Sequence, residues 1–230
     1  MHSIQTVNVT GDDAFEFLQG QLTNDLQRLD SEGEILAAWC NPKGRVIWFG
    51  TVWKIENGYG MSTAADTAED MVKRMTMFRF RSKVKFEIVD EGQTVDPAFL
   101  VEHGYPFISS GQVEQFTPHM LNFDLLGAIS YDKGCYTGQE IVARTHYKGA
   151  TKRRTLRFES EAPVSPGDKV SLDGREIGDV LNVTGNALLA VVPVDKAEET
   201  LTVGEVVLKR LALPYETNGD SDLSKRGQNK

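Results

Sequence analysis

The fold is decided by ILAAWC (Ile35–Cys40), NPKG (Asn41–Gly44) and RVIWFGTVWKI (Arg45–Ile55), which follow one another without a gap. Both outer runs are long enough for a strand and contain β-branched and aromatic residues, which favour strands. The four residues between them have the Pro-x-Gly chemistry of a tight turn. The sequence therefore predicts an antiparallel hairpin.

The segments on either side of this hairpin predict a mixture of strands and helices. Residues 4–9 (IQTVNV) alternate apolar and polar side chains, as a half-buried strand does, and residues 14–22 (AFEFLQGQL) have helical spacing. Residues 63–75 (TAADTAEDMVKRM) predict a helix, residues 82–89 (SKVKFEIV) a strand, and residues 96–104 (DPAFLVEHG) one or two helical turns. This order is typical of an α+β fold rather than a doubly wound parallel sheet.

The pattern changes after Thr151 to short strands with turn residues every eight to twelve positions. The predicted strands are TLRFES, PGDKVSLDG, EIGDVLNVTG, NALLAVVP and VVLKRLAL. This spacing is typical of a small antiparallel barrel or sandwich, and we predict a barrel. The expected organisation is one domain over residues 1–149, a β-barrel domain over residues 150–215 and a mobile tail over residues 216–230.

Composition excludes several classes of protein. Of the 230 residues, 40% are apolar, enough to bury a sizeable core, so general disorder is excluded. The chain has no apolar run of membrane-spanning length, and its first twenty residues carry acids but no Lys or Arg, so we expect a cytoplasmic protein without a membrane segment. The two cysteines and four histidines lack metal-ligand spacing, so we expect no metal site.

Positive charge is concentrated in a chain whose net charge is −8. Residues 73–85 (KRMTMFRFRSKVK) and residues 144–157 (RTHYKGATKRRTLR) each hold six basic residues and no acidic residue. Two such segments are consistent with a site for a polyanion. They are equally consistent with solvated outer faces of strands, and charge alone does not decide between these interpretations.

The segment richest in chemistry is KGCYTGQE (Lys133–Glu140), in which two glycines flank a thiol and a phenol. A helix starting near Gly138 would direct its free amide groups and positive dipole end at the loop that holds Cys135. Lys133 would add to this positive field, which favours the reactive thiolate. The alternative is a buried structural cysteine, since free cysteine is among the most buried residue types.

Two interpretations are open for the start of this helix. Glu140 and Arg144 are four residues apart and could form a surface ion pair of little energetic weight. Alternatively, Gln139 and Glu140 could bind the donor and acceptor edge of a heterocycle while Arg144 binds a carboxylate.

Four segments together resemble the YgfZ family of folate-binding proteins, relatives of the glycine-cleavage T-protein, an aminomethyltransferase. They are KGCYTGQEIVART (133–145), FLQGQLTND (17–25), NPKGR (41–45) and EQFTPHMLNFDLLGAISY (114–131). The resemblance runs through most of the chain. Family members carry a longer middle segment, where this chain has only about residues 90–104.

The resemblance implies a fold in which a GcvT/YgfZ-like N-terminal domain with an antiparallel sheet precedes the C-terminal barrel. It also implies a cytoplasmic folate-binding accessory protein that supports iron–sulfur cluster synthesis or repair, and thereby tRNA modification. The implied cofactor is tetrahydrofolate, including its polyglutamylated form, whose glutamate tail the basic segments would attract. The implied partners are iron–sulfur client or assembly proteins. We expect no direct contact with nucleic acid, and a homodimer is a further hypothesis.

The family's functional thiol maps onto Cys135, and we assign catalytic roles to Cys135 and Lys133. We assign cofactor binding to Tyr136, Gln139, Glu140, Arg144 and Asn24. Two other functions remain open. One is a tetrahydrofolate-dependent aminomethyltransferase or other one-carbon transferase, and the other is a binding module without catalytic activity.

Overall fold

The structure, a computed structural model, describes residues 1–89, 91–149 and 151–217. These residues form two compact units. The first comprises Met1–Asp96, Phe107–Pro118 and Leu126–Ala143, and the second comprises Pro97–Pro106, His119–Leu125 and the described residues from Arg144 onward. The tail predicted over residues 216–230 lies almost wholly outside the described residues, and the predicted domain boundaries stay a prediction.

The first unit is built on an antiparallel sheet. Its strands are β1 (His2–Thr10), β2 (Glu34–Cys40), β3 (Val46–Ile55), β4 (Gly58–Ala64) and β5 (Lys85–Val89). They are ordered β2-β3-β4-β1-β5, and the short strand β6 (Thr94–Val95) pairs with the start of β1. The predicted hairpin is confirmed as β2 and β3, which pair from Glu34 opposite Trp53 to Cys40 opposite Val46, with a register shift after Trp39.

Strand β4 is an element that the sequence did not predict, because GYGMSTA has the glycines of a poor strand former. Tertiary contact explains it. A Cβ placed on Gly60 would lie 2.5 Å from the indole ring of Trp53, so only glycine leaves room for that ring across the β3–β4 pair. The chain turns back between β3 and β4 at Asn57, whose φ of 60° is left-handed.

Helices contact the strands of this sheet, and the two that the sequence predicted here are shorter than expected. The helices are α1 (Ala14–Gln19), α2 (Leu29–Glu32), which follows a 3-10 turn at Leu26–Arg28, and α3 (Ala68–Phe78). The helix predicted from residue 63 begins at Ala68, because the residues before it complete β4 and a turn. The largest side chains buried in this core include Trp39, Leu18, Leu22, Met61, Met71 and Met75. Each such side chain contributes roughly 1.5–3 kcal/mol by leaving water.

The second unit contains the predicted barrel. Its strands are β7 (Arg153–Ser160), β8 (Lys169–Leu172), β9 (Arg175–Thr184), β10 (Ala187–Pro193), β11 (Leu201–Val203) and β12 (Val206–Leu211). They close in the order β10-β7-β12-β11-β8-β9, with every pair antiparallel. Leu156, Phe158, Leu188 and Leu201 fill the interior. The three residues of β11 were too few for the sequence pattern to predict.

Two more helices complete the described chain. Helix α4 (Pro97–His103), predicted as one or two turns, contacts β9 and β10 of the second unit. Helix α5 (Gln139–Lys148) starts one residue after Gly138, as predicted. In the described part of the chain, no helix has both the length and the apolar character needed to cross a membrane.

Candidate functional site

Three segments that are far apart in the sequence meet within the first unit, around the start of α5. They are residues 17–25, 41–45 and 133–142, which carry the sequence motifs described above. The backbone N–H of Thr137 donates to the Gly20 carbonyl at 3.2 Å, and the Thr137 hydroxyl donates to the Gln21 side chain, also at 3.2 Å. The same Gln21 oxygen accepts the indole N–H of Trp39 at 3.1 Å, which ties the loop to the core.

Lys133 anchors the beginning of the loop. Its Nζ donates to the backbone carbonyls of Gln19, Leu22 and Asn24 at 2.8, 2.7 and 2.8 Å. The side chain is buried, and its Nζ lies 5.3 Å from the centre of the Tyr136 ring. Burial lowers the pKa of Lys133 to about 8, because removal from water disfavours the charged amine. When the amine is charged, its three hydrogen bonds to these carbonyls use all three of its N–H donors.

Asn24 occupies the centre of the segment that receives Lys133. Its Nδ2 donates to the carbonyls of Leu36 at 2.8 Å and Gly127 at 2.9 Å. Its Oδ1 accepts the backbone N–H of Asp25 at 2.9 Å and a guanidinium N–H of Arg28 at 3.0 Å. These four bonds use the full capacity of the amide. In this arrangement Asn24 shapes the loop and offers no free group to a ligand.

Close glycine packing holds the other end of the loop. Gly138 has a φ of +84°, and a Cβ there would lie 2.6 Å from the Asn41 carbonyl oxygen and 3.1 Å from Cys40 Cβ. Gly44 has a φ of +68°, and a Cβ there would lie 2.8 Å from Ile141 Cβ, on the first turn of α5. By contrast, a Cβ on Gly134 would meet nothing within 4 Å. The turn before β3 and the start of α5 therefore fit together only because Gly44 and Gly138 lack side chains.

The turn itself is held by Asn41, a residue that sequence reasoning had interpreted only as part of a tight turn. Its Oδ1 accepts the backbone N–H groups of Lys43 and Arg45 at 2.9 and 3.0 Å. Its Nδ2 donates to Glu114 at 2.7 Å, and this bond lowers the pKa of the Glu114 carboxyl, as does the bond from Arg74. An Asn at the start of a Pro-x-Gly turn was the signal available for this role.

Of the thiol and the phenol in this anchored loop, only the thiol is exposed. Cys135 is exposed, which excludes the alternative of a buried structural cysteine. Tyr136 is buried, and burial raises its pKa. The other thiol, Cys40, is fully buried, and its pKa rises from 9.0 to about 12 for the same reason.

The first turn of α5 offers uncommitted polar groups. The backbone N–H of Gln139 donates to the Tyr136 carbonyl at 3.2 Å, whereas neither the Gln139 amide nor the Glu140 carboxylate has a side-chain partner among the described residues. Glu140 and Arg144 are both exposed, and the described structure holds no ion pair between them. No three His, Cys, Asp or Glu side chains within the described ranges come together as a group able to hold a metal ion.

The two basic segments have different fates. In the second, Arg154 is 1% exposed and forms a bidentate ion pair with Asp124, and Arg153 pairs with Asp179. In the first, Arg74 pairs with Asp70 and Glu114, but the other basic side chains are exposed. The second segment is thus partly neutralised within its own unit.

Comparison with known proteins agrees with this architecture. Residues 152–214 match the family model described as the CAF17 C-terminal beta-barrel domain. The chain is 28% identical to an uncharacterized protein of Haemophilus influenzae, over 92% of this chain and 95% of the relative. It is 26% identical to the tRNA-modifying protein YgfZ of Escherichia coli, over 87% of this chain and 81% of that relative. These matches support a YgfZ/GcvT-like family for this chain.

A solved structure shares this fold over most of the chain. The glycine cleavage system aminomethyltransferase T from Bartonella henselae superposes with a TM-score of 0.67 over 92% of this chain and 83% of that chain, at 14% identity. At that identity the likeness concerns the fold. The alignment with the Escherichia coli protein is 272 positions long, so that relative has residues that the 230-residue chain lacks. Their place in the middle of the chain stays a prediction.

Proposed function

We propose that this YgfZ/GcvT-like protein supports tRNA modification as a folate-binding accessory protein, with Cys135 as its functional thiol. The observation that carries the proposal is an exposed sulfur on a loop anchored at both ends. Lys133 ties the loop to three carbonyls before the sulfur, and Gly138 packs against Asn41 after it. An exposed thiol held this way is positioned for chemistry with a partner and contributes nothing to the core.

The names of the relatives support the general part of the proposal. Proteins from Hamiltonella defensa and Escherichia coli that are 26% identical to this chain are called tRNA-modifying protein YgfZ. In this chain the thiol, its lysine anchor and the glycine packing are all present in one place. We infer that the chain takes part in the same process.

The residues around the thiol fit a folate. A pterin ring presents N–H donors beside acceptor nitrogens, and the free Glu140 carboxylate and Gln139 amide supply the complementary groups. Arg144, exposed on the same helix, has a guanidinium available for a glutamate carboxylate. Lys133 and Asn24 would act on the ligand only through the loop that they shape. Tetrahydrofolate, when bound, would supply a carrier for a one-carbon unit.

The finer part of the proposal concerns iron–sulfur clusters. Thiolates are the ligands that hold such clusters, but a stable site needs several of them. One exposed thiol therefore suits transient contact with a cluster that belongs to a client or an assembly protein. The client that links this step to tRNA would be a cluster-dependent modifying enzyme.

The test of the thiol is a complementation experiment with Cys135→Ser. In a strain that lacks its own copy of the gene, we expect the wild-type chain to restore modified tRNA nucleosides, measured by mass spectrometry, and Cys135→Ser to fail. Asp132→Ser, an exposed change in the same loop, is the matched control and should restore modification. Full restoration by Cys135→Ser would show that the thiol is not required.

The folate is tested separately by calorimetry. We expect tetrahydrofolate to bind wild type and Cys135→Ser alike, and Glu140→Gln to bind it more weakly. The polyglutamylated form should bind more tightly and with stronger salt dependence, and Arg144→Ala should remove that advantage. If neither form binds, the folate part of the proposal is wrong, and the chain is better described as a protein-binding module.

A further inference from the structure

Phe80 is the most exposed large apolar side chain in the described chain, with 87% of its surface in solvent. It lies in the connection between α3 and β5, and residues 77–85, which add the last two residues of α3 and the first of β5 to that connection, are here called the basic turn. Arg79 and Arg81 flank it, and both are exposed. Met77, at the start of the turn, is 63% exposed. An aromatic ring in water between two arginines contributes nothing to the core, so core packing does not explain a phenylalanine at this position.

The positive charges of the basic turn are available to a partner. Arg79, Arg81 and Lys85 have no carboxylate within ion-pair distance among the described residues. Lys83 approaches Asp12 only at 3.4 Å, with both side chains mostly in solvent. The second basic segment, by contrast, commits Arg153 and Arg154 to ion pairs. Free positive charge is therefore concentrated at the basic turn.

The backbone holds the turn in a defined shape. The N–H of Ser82 donates to the Arg79 carbonyl at 2.8 Å, and the N–H of Lys83 donates to the Asp13 carboxylate at 2.6 Å. Phe80, which lies between the residues of the first of these bonds, has a φ of +45°, a left-handed conformation that bulky residues rarely adopt. The strain is tolerated although the ring gains no packing from it. Strained residues of this kind concentrate where a protein binds something.

We propose that the basic turn binds single-stranded RNA, with a base stacked on Phe80 and phosphates paired with Arg79 and Arg81. Aromatic rings bind unpaired bases by stacking, and arginines bind phosphates through two parallel hydrogen bonds. The proposal deepens the function proposed above and rests on it, since it names RNA as a direct partner. It departs from the expectation of no direct contact with nucleic acid, which rested on the acidic total and on the lack of a recognisable RNA-binding module.

The same features favour RNA over a lipid surface. Binding to a lipid surface strengthens with the apolar area buried in it, and the basic turn exposes only Phe80 and Met77 for burial. The polyanion that matches an aromatic ring between two guanidinium groups is one with flat bases and regularly spaced phosphates. An anionic membrane is therefore the outcome that would argue against the proposal.

The experiment measures binding of the full chain to an unstructured RNA of about a dozen nucleotides, labelled with fluorescein, by fluorescence anisotropy. We expect Phe80→Ala to weaken binding about tenfold through loss of stacking. Phe80→Trp should retain binding, whereas Phe80→Leu should lose it although leucine keeps much of the apolar surface. Because Phe80 is almost fully exposed, all three variants should fold, which circular dichroism checks.

The charges are tested with a matched pair of double variants. Arg79→Ala/Arg81→Ala should weaken binding and reduce the slope of log affinity against log salt by about 0.7 for each phosphate contact removed. Arg175→Ala/Lys209→Ala removes two exposed positive charges from the second unit and should leave affinity and slope nearly unchanged. Equal losses in both double variants would show nonspecific attraction and overturn the proposal.

Other outcomes are equally informative. If wild type does not bind the RNA, and wild type and Phe80→Leu sediment equally with phosphatidylserine vesicles, the turn is a membrane contact and the proposal is wrong. Complementation separates this inference from the proposed function. If the RNA does not bind but tRNA modification still depends on Cys135, only the RNA site fails. If Cys135→Ser restores modification, the proposed function fails whatever the turn binds.

Discussion

Gly138 lies directly against the carbonyl of Asn41, so that a Cβ on Gly138 would come within 2.6 Å of the Asn41 oxygen. This contact joins the start of α5 to the turn between β2 and β3. It holds this end of the Cys135 loop by close backbone packing, whereas the Lys133 side chain holds the other end by hydrogen bonds. Replacement of Gly138 should therefore disturb the loop more than replacement of Gly134.

Gly138→Ala should destabilise the protein by about 1–3 kcal/mol, because the new methyl group clashes with backbone and the φ of +84° strains any residue with a Cβ. Gly134→Ala is the matched control. Its Cβ would meet open space, so the change should stay within about 0.5 kcal/mol. Urea denaturation measures both. Equal stability of the two variants would mean that the close approach at Gly138 does not exist in solution.

Lys133→Met should cost about 2–4 kcal/mol, because the carbonyls of Gln19, Leu22 and Asn24 would each lose a charged donor. Methionine keeps most of the volume, so the loss reports on hydrogen bonding rather than on a cavity. Lys152→Met, at an exposed lysine, should change the free energy of unfolding by less than about 0.5 kcal/mol. A stability for Lys133→Met equal to that of this control would contradict the anchoring role.

The two thiols should react with Ellman's reagent at very different rates. Cys135 is exposed and should react at once, whereas Cys40 is fully buried and should react only in denaturant. Cys135→Ser should therefore abolish the fast phase in the native protein and leave one thiol after unfolding. Two fast thiols in the native state would contradict the burial of Cys40.

Cys40 also predicts a dependence of stability on pH. Its folded-state pKa of about 12 lies above the ordinary value of 9.0, so the unfolded state loses the proton first as pH rises. The stability of wild type relative to Cys40→Ala should be constant below pH 9 and fall between pH 9 and 12, by roughly 1.4 kcal/mol per pH unit. Paired urea titrations measure the difference, and a flat difference would contradict the shift.

Adjacent arginines on β7 should differ sharply in their effect. Arg154→Ala should destabilise the protein by about 3–5 kcal/mol, because it leaves the Asp124 carboxylate, 13% exposed, without its bidentate partner. Arg153→Ala breaks a more exposed pair with Asp179 and should cost about 0–1 kcal/mol. Thermal unfolding of the two variants at neutral pH tests the contrast. A large effect of Arg153→Ala would assign the greater weight to the outer pair.

Local chemistry made part of this structure predictable. The β2–β3 hairpin follows from apolar runs on either side of Asn41–Gly44, and most barrel strands follow from their regular turns. The start of α5 was predictable because Gly138 lies just before a run of residues that favours a helix. β4 was missed because its glycines are explained only by the Trp53 ring packed on Gly60. β11 was missed because three residues carry too little pattern.

The candidate site was predictable as a set of residue types but not as an arrangement. The sequence identified the Lys133–Glu140 motif, but it suggested that Lys133 adds to the field at the thiol, whereas three carbonyls hold its ammonium group in the interior. The sequence did not distinguish the two basic segments. In the structure, ion pairs partly neutralise residues 144–157, whereas residues 73–85 expose the Phe80 ring to solvent.

By itself the sequence determined the α+β class, the hairpin, the barrel and the motif around Cys135, because propensity, periodicity and turn chemistry act over a few neighbouring residues. Only the tertiary structure decided that Cys135 is exposed while Cys40 is buried, and that residues 17–25, 41–45 and 133–142 meet. Burial and hydrogen-bond partners depend on contacts between residues as much as 114 positions apart, which no local pattern records.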